Sequence, residues 1–435
     1  MTKPLSFGTL RTILTDTFEQ LPDPRKGQNT QYTMENVALA AFSVFFMQSP
    51  SFLAHQRDMQ RRKGCNNAQS LFGITQIPSD PQIRNLLDPI APEHLRAPFW
   101  TILERLMEDE TVSETFDGDM GWFCSLDGTQ YFSSSTVHCP QCTVIEKDDT
   151  PRYAHTALIP VLSSPDSSEV LVLEPEFIVP QDGAEKQDCE RRAAQRWIER
   201  NGSRFAGRQV TMLADDLHCN QPFCERLLAR YLHFILNCKP ESHTTLYEEV
   251  RLLDKIGGVT TCEDRVWTGQ GHERWTYRFV ERVPLRRPPR VLNVNWCELT
   301  ITTEDTEEVI YRNAFATDHP VNEKTVRSLV AAGRSRWKVE NEGYNVLKNH
   351  GYHMEHNYGH GEQHLSVVIV MLILLAFLCH TALQLCDEAY QRLRAELGPR
   401  RTFFGDLRTL TRYIYFESWS HLIAFMIRGL DMAPG

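Results

Sequence analysis

With 435 residues, 41% of them hydrophobic and 23% charged, the chain is larger than one hydrophobic core usually organises. That points to two or three domains and excludes a disordered or low-complexity protein. The formal net charge of -10 excludes a protein that holds nucleic acid by bulk charge alone, although a segregated surface is still compatible with DNA binding.

Residues 1–115 read as a helical DNA-binding domain. Asn36 to Met47 is an apolar run of helical length, Ser51 to Arg62 starts apolar and ends basic, and Pro78-Ser79-Asp80-Pro81 reads as a turn and N-cap. From residue 116 the pattern changes to short apolar runs of strand length. Trp122 to Leu126, His155 to Leu162 and Val170 to Leu173 are strand candidates, the last two as antiparallel neighbours. Glu185 to Asn201 is a helix candidate, Gln209 to Leu213 a strand, Gln221 to Arg230 a helix and His233 to Cys238 a buried strand. This order, in residues 116–255, is that of an α/β fold of the ribonuclease H-like kind, a mixed sheet with helices on both faces. Residues 256–316 form a strand-rich insertion, and residues 317–435 complete the core and add C-terminal helices.

Leu365 to Cys379 is the one segment with membrane-like composition. At fifteen residues, closed by His380, it is short of the roughly 20 residues a spanning helix needs, and a buried core helix is expected. The twelve cysteines are scattered, and the first residues lack the apolar core of a secretory signal, so reduced thiols in a cytoplasmic protein are expected. Cys139 and Cys142 form one CxxC. A zinc site there needs two more ligands, from His155, Cys189 or another distant residue; the expectation taken is a turn with two free thiols. Basic residues group at Arg57 to Lys63, Arg282 to Arg290, Arg334 to Lys338 and Arg400 to Arg412.

Two carboxylates follow apolar strands directly, Asp127 after Trp122 to Leu126 and Asp215 after Gln209 to Leu213. Neighbouring strands would bring these ends together at the rim of a rigid core. Asp216, beside Asp215, is an alternative for the second position. On a helix, Arg336, Glu340, Tyr344 and Lys348 recur every four residues and share a face. Glu342 points away. Three hard oxygen ligands of this kind suit two Mg2+ ions, or Mn2+ in their place, beside a phosphodiester. Arg336 and Lys348 then suit its phosphates.

At these residues the chain resembles the DDE transposases of bacterial insertion sequences. The likeness lies in LDGTQYF at 126–132, LADDLHCNQPFCE at 213–225 and RWKVENEGYNVLKNHGYHMEHNYGHG at 336–361. The subgroup resembled carries a strand-rich insertion before the final Glu and a Tyr-Arg-Glu-Lys signature. The resemblance implies metal ligands at Asp127, Asp215 and Glu340, signature cations at Arg336 and Lys348, and cut-and-paste transposition by a homodimer on element-end and target DNA; Tyr344, on the same helix face, is expected to contact DNA beside them. Alternatives are a nuclease or resolvase on the same fold, and a non-catalytic regulator derived from a transposase. Two departures stand out: Gly333 occupies the place of the signature Tyr, and Lys348 follows Glu340 by eight residues where seven is usual.

Overall fold

The computed structural model describes residues 5–27, 30–60, 66–147, 150–180 and 189–431. Part of the first basic cluster, residues 61–63, and the start of the expected helix at 185–188 lie outside the described residues.

Among the described residues, fourteen strands form two sheets. In chain order they are β1 (Asp117–Gly118), β2 (Gly121–Ser125), β3 (Gly128–Ser134), β4 (Thr143–Lys147), β5 (Thr150–Leu158), β6 (Val161–Ser163) and β7 (Leu171–Val172). They continue with β8 (Glu176–Ile178), β9 (Val210–Ala214), β10 (His233–Asn237), β11 (Thr260–Trp267), β12 (His272–Pro284), β13 (Asn293–Thr303) and β14 (Val309–Thr317). The large sheet runs β11-β12-β13-β14-β10-β9-β2-β6-β7, with β1 beside β2. In it β2, β9 and β10 are parallel, and the other neighbours are antiparallel. Every residue of β2 and β9 is buried, as expected where helices cover both faces of parallel strands. The small sheet is β3-β5-β4, with β8 pairing β5 on the same edge as β4, further along the strand.

The expected strand from His155 to Leu162 is two strands in two sheets. Pro160 separates them, and having no N–H it cannot extend a ladder. The chain therefore leaves the small sheet at Leu158 and enters the large one at Val161. The strand-rich insertion is likewise continuous with the rest. Thr317 of β14 pairs with Ile235 of β10, so the four strands β11 to β14 extend the large sheet beyond its parallel centre. The helix Val326–Ser335 packs Leu329 and Val330 against Phe315 on this extension, in an apolar cluster of its own.

The N-terminal helices share their core with the C-terminal ones, so residue 115 is no packing boundary. Phe7 stacks on Trp419 at 4.7 Å. The Asn67 amide donates to the carbonyl oxygens of Thr411 (2.6 Å) and Ile414 (2.8 Å) and accepts from the Phe416 N–H. The turn at Ser79 caps the helix Asp80–Leu87 as its sequence suggests, with Gln82 accepting from the Ser79 N–H. Asp88, just after it, accepts from the N–H groups of Glu362, Gln363, His364 and Leu365. It thereby satisfies the donors at the start of the next long helix.

That helix, Leu365–Cys386, has 22 residues and a mean hydropathy of 2.6, and 94% of its most apolar window is buried inside the protein. It is the only helix among the described residues long and apolar enough to cross a membrane, and it is the central helix of the lobe. His380 does not end it. The imidazole is fully paired: Nε2 lies 2.9 Å from the Phe46 carbonyl oxygen and Nδ1 lies 2.9 Å from the Tyr390 hydroxyl. A carbonyl only accepts, so Nε2 carries the hydrogen and Nδ1 accepts from Tyr390. Burial pushes the His380 pKa down to about 3.

Replacing this imidazole by an alkyl group leaves both partners buried and unpaired. His380→Leu should cost roughly 2–4 kcal/mol in urea unfolding at pH 7. Because its folded pKa is depressed, the neutral wild-type imidazole stabilises fully above pH 6.5, and this is lost as pH falls toward 3. The gap between the two proteins should therefore narrow by about 2 kcal/mol between pH 7 and pH 5. A gap that stays constant or widens would remove the buried neutral His380 from the account.

Candidate active site

The parallel pairing of β2 with β9 puts Ser125 beside Leu213. Asp127 and Asp215 thus leave adjacent strands at the same edge. The carboxylate of Asp127 is largely buried, and its pKa is pushed up to about 6. Desolvation is the main cause. Arg336 opposes it, and the negative charges of Glu190, Glu340 and Asp215 add to it. Asp127 therefore feels the charges of both other acids expected from the sequence, together with that of a fourth.

That fourth acid, Glu190, is the first residue of the helix Glu190–Asn201. Its Oε1 lies 3.1 Å from Nε2 of the buried His218. Glu190, Asp215 and His218 present one ligand atom each within 4.8 Å of one another. The approach of Glu190 depends on Gly128, because a Cβ there would stand 2.5 Å from Glu190 Oε2. Nothing in the sequence pattern distinguishes Glu190 from a first-turn acid at a helix N-terminus. The glycine after Asp127 was the available signal.

Asp215 uses one carboxylate oxygen to accept from the Leu217 N–H at 3.0 Å. Asp216 is turned elsewhere: its Oδ1 accepts from the Lys239 N–H at 2.6 Å and faces His243 Nε2 at 3.2 Å. It ties the end of β9 to the end of β10, whereas Asp215 lies with Glu190 and His218.

The third acid sits on a π turn. After the helix Val326–Ser335 the chain continues as a π-helix at Val339–Tyr344 and an α-helix at Asn345–Asn349. In an uninterrupted α-helix, successive residues turn by about 100°, so residues four apart drift by about 40° each step. Arg336, Glu340, Tyr344 and Lys348 would then fan over about 120°. A π turn accommodates one extra residue and takes back about 100° of that drift. This accounts for the eight-residue step from Glu340 to Lys348.

Arg336 and Tyr344 reach Asp127 and Lys348 reaches β3, while Glu340 is joined to them through Arg336. Arg336 lies 3.6 Å from Asp127 Oδ2 and 3.3 Å from Glu340 Oε1. The Tyr344 hydroxyl donates to the Asp127 carbonyl oxygen at 2.6 Å, and Lys348 Nζ donates to the Gln130 carbonyl oxygen at 2.9 Å. Tyr344 is buried, so the expected DNA contact gives way to a positioning role. Lys348 is also paired with Glu355 at 2.9 Å. The Glu340 side chain is 57% exposed, so this side of the site opens to solvent. Glu342 is half-buried on the other side and interacts with Lys338, Glu169 and Arg400.

Gly333 has its own explanation. A Cβ there would lie 2.6 Å from the ring of Phe315. The helix rides directly on β14 at this point, and no signature Tyr fits. The basic cluster around it is no solvated face. The Arg334 guanidinium lies 4.8 Å from the ring centres of both Trp275 and Tyr311. Lys338 is buried and donates to the carbonyl oxygens of Ser164, Pro165 and Ser167.

Cys139 and Cys142 lie between β3 and β4 and meet His155 of β5 and His360. Cys189 is exposed at the start of the helix carrying Glu190 and has no part in that group.

No family model matches the chain, and no curated protein matches it.

The crowding of carboxylates has a measurable cost. Because the folded pKa of Asp127 is raised from 3.8 to about 6, the group opposes folding once it must ionise. The penalty is absent below pH 3.8, grows through the interval and is complete above about pH 6. In metal-free buffer Asp127→Asn should therefore be the more stable protein at pH 8, by about 3 kcal/mol, and by about half of that at pH 5. Thermal or urea unfolding in EDTA reads this directly. A variant that is less stable than wild type at pH 8 would show that the Arg336 pair outweighs desolvation.

Proposed function

We propose that the chain is a DNA transposase of the DDE kind, which cuts at element ends and joins them to target DNA, and in which Asp127, Asp215 and Glu340 would hold two divalent ions. The observation that carries this reading is the meeting of acids from three distant parts of the chain at the edge of two parallel strands, with Asp127 feeling the charges of both others. The sheet order supports it as well. On one side of β2, β6 runs antiparallel to it and β7 antiparallel to β6, and on the other β9 and β10 run parallel to it, an order that suits a ribonuclease H-like core.

The donor set fits Mg2+ or Mn2+. Asp127, Asp215, Glu340 and Glu190 offer hard oxygens, and several carboxylates at one edge are costly without positive charge. When bound, such ions would activate an oxygen nucleophile and stabilise the leaving oxygen of a phosphodiester. The chain's own residues do the rest. Tyr344 fixes the helix bearing Glu340 against the backbone of Asp127. His218 holds Glu190 beside Asp215. Arg336 spans Asp127 and Glu340, so a phosphate that took its guanidinium would find it already beside the acids. Lys348 would exchange Glu355 for a phosphate in the same way. Further from the acids, Arg286 and Arg290 are exposed in the loop between β12 and β13 and suit contacts to flanking DNA. The reading includes a homodimer acting on paired element ends, in the cytoplasm on nucleoid DNA.

The test is cleavage of DNA carrying the ends of the surrounding element, with Mg2+ and with Ca2+, for wild type and for Asp127→Asn, Glu340→Gln and Glu190→Gln. The first two variants should lose cleavage by several orders of magnitude and keep DNA binding, because affinity comes mainly from phosphate contacts by cations. Glu190→Gln should lose about ten- to a hundredfold, as for a group that supports the ligands. Near-normal cleavage by Asp127→Asn, or no metal-dependent cleavage by wild type on its own ends, would remove the proposal.

A further inference from the structure

A second set of donors lies away from the acids. Cys139 and Cys142 come from the turn before β4, His155 from β5, and His360 from the segment that follows the helix Asn345–Asn349. Their separations are 3.9 Å between the two sulfurs, 3.5 and 3.4 Å from His155 Nε2 to Cys139 and Cys142 Sγ, 3.4 Å from His360 Nε2 to Cys142 Sγ, and 3.4 Å between the two Nε2 atoms. A tetrahedral zinc with Zn–S of about 2.3 Å and Zn–N of about 2.05 Å requires edges of about 3.8 Å for S to S, about 3.6 Å for S to N and about 3.3 Å for N to N. The five measured edges each lie within about 0.2 Å of these values.

We propose that Cys139, Cys142, His155 and His360 form a structural zinc site that clamps the segment after the catalytic helix to the small sheet.

The chemistry of the donors selects the metal. Two thiolates and two imidazoles in a tetrahedron suit zinc and not the hard ions of the carboxylate site. The sulfurs, at 3.9 Å, form no disulfide. A closed set of four protein ligands leaves no position for water or substrate, which is the mark of a structural and not a catalytic site. The Cys139 N–H also donates to Cys142 Sγ, at 3.4 Å.

His360 is held in place from both sides. Two residues before it, the buried Tyr358 ring packs edge-on against Phe45 (5.0 Å) and Phe52 (6.0 Å). Two residues after it, the Asp88 carboxylate begins to gather backbone N–H groups at Glu362. The rings of Phe132 and Tyr131 flank the site, at 4.5 Å from His360 and 5.6 Å from His155, and shield it from solvent. The zinc would thus cross-link β3–β5, which begin at Gly128 beside Asp127, to the segment that leaves Lys348.

Metal analysis of the purified full-length protein tests this without DNA. The expected result is about one zinc per chain, retained in Asp127→Asn and therefore independent of the proposed catalytic site. Cobalt uptake after zinc removal should give the visible bands of a tetrahedral ion together with thiolate-to-cobalt charge transfer, a readout that needs no variant. Cys142→Ser should abolish stoichiometric zinc, and His360→Ala should weaken its retention on the order of a hundredfold against a competing chelator. His360→Ala should also expose residues 350–364 to limited proteolysis while the far-ultraviolet circular dichroism stays near wild type. Wild-type protein with substoichiometric zinc and no thiolate-to-cobalt band would overturn the assignment. So would full zinc retention in a folded Cys142→Ser variant.

Discussion

The hydrogen bond from Tyr344 to the carbonyl oxygen of Asp127 is the contact on which the carboxylate site depends. Two of the three acids are brought together by a sheet register that the apolar strands enforce. The third arrives more than a hundred residues later, on a helix that has to be docked in the right rotation. A buried phenol cannot leave its hydroxyl unpaired without penalty, and the Asp127 carbonyl is the acceptor at 2.6 Å. The same rotation brings Lys348 to the Gln130 carbonyl and Arg336 to the Asp127 carboxylate. Backbone acceptors on one strand thus align a helix against acids on the neighbouring ones.

The strand ends were legible in the sequence because two independent signals coincide there: a short run of buried apolar residues and an acid directly after it. The helix face was legible from its spacing, although the π turn that keeps the four side chains together was not. A π turn depends on one extra residue being tolerated by surrounding packing, and the recurrence of four residues looks the same with or without it. Tyr344 was misread because an aromatic among charges looks like a surface residue, and only tertiary burial shows otherwise. His360 was invisible, and Glu190 was signalled only by Gly128, for a simpler reason. Each acts on partners far away in sequence, His360 on a sulfur 218 residues earlier, and no local pattern encodes such a meeting.

Charge clusters were the least informative feature of the sequence. Arg334, Arg336 and Lys338 stand within five consecutive positions, yet they end on aromatic rings, on carboxylates and on three carbonyl oxygens respectively. Arg412 pairs with Asp58 at 2.8 Å, and Arg408 donates to the carbonyl oxygens of Met47 and Gln48. These cations join segments of the protein to one another. This also explains how a chain with a net charge of -10 can carry prominent basic runs without presenting a broadly positive surface.

The shared core of the first and last helices has a consequence for synthesis. Met34–Phe46 is apolar on nearly every side, and its partners include Leu365–Cys386 and the helix that begins at Trp419. A ribosome therefore releases this helix long before the surfaces that cover it exist. Contacts so distant along the chain close late and slowly, and an apolar segment waiting for them is a natural client for chaperones. The sheet, by contrast, can begin to assemble while the chain is still growing. A chain broken off before Leu365 would therefore leave the apolar helix Met34–Phe46 without its long partner helix.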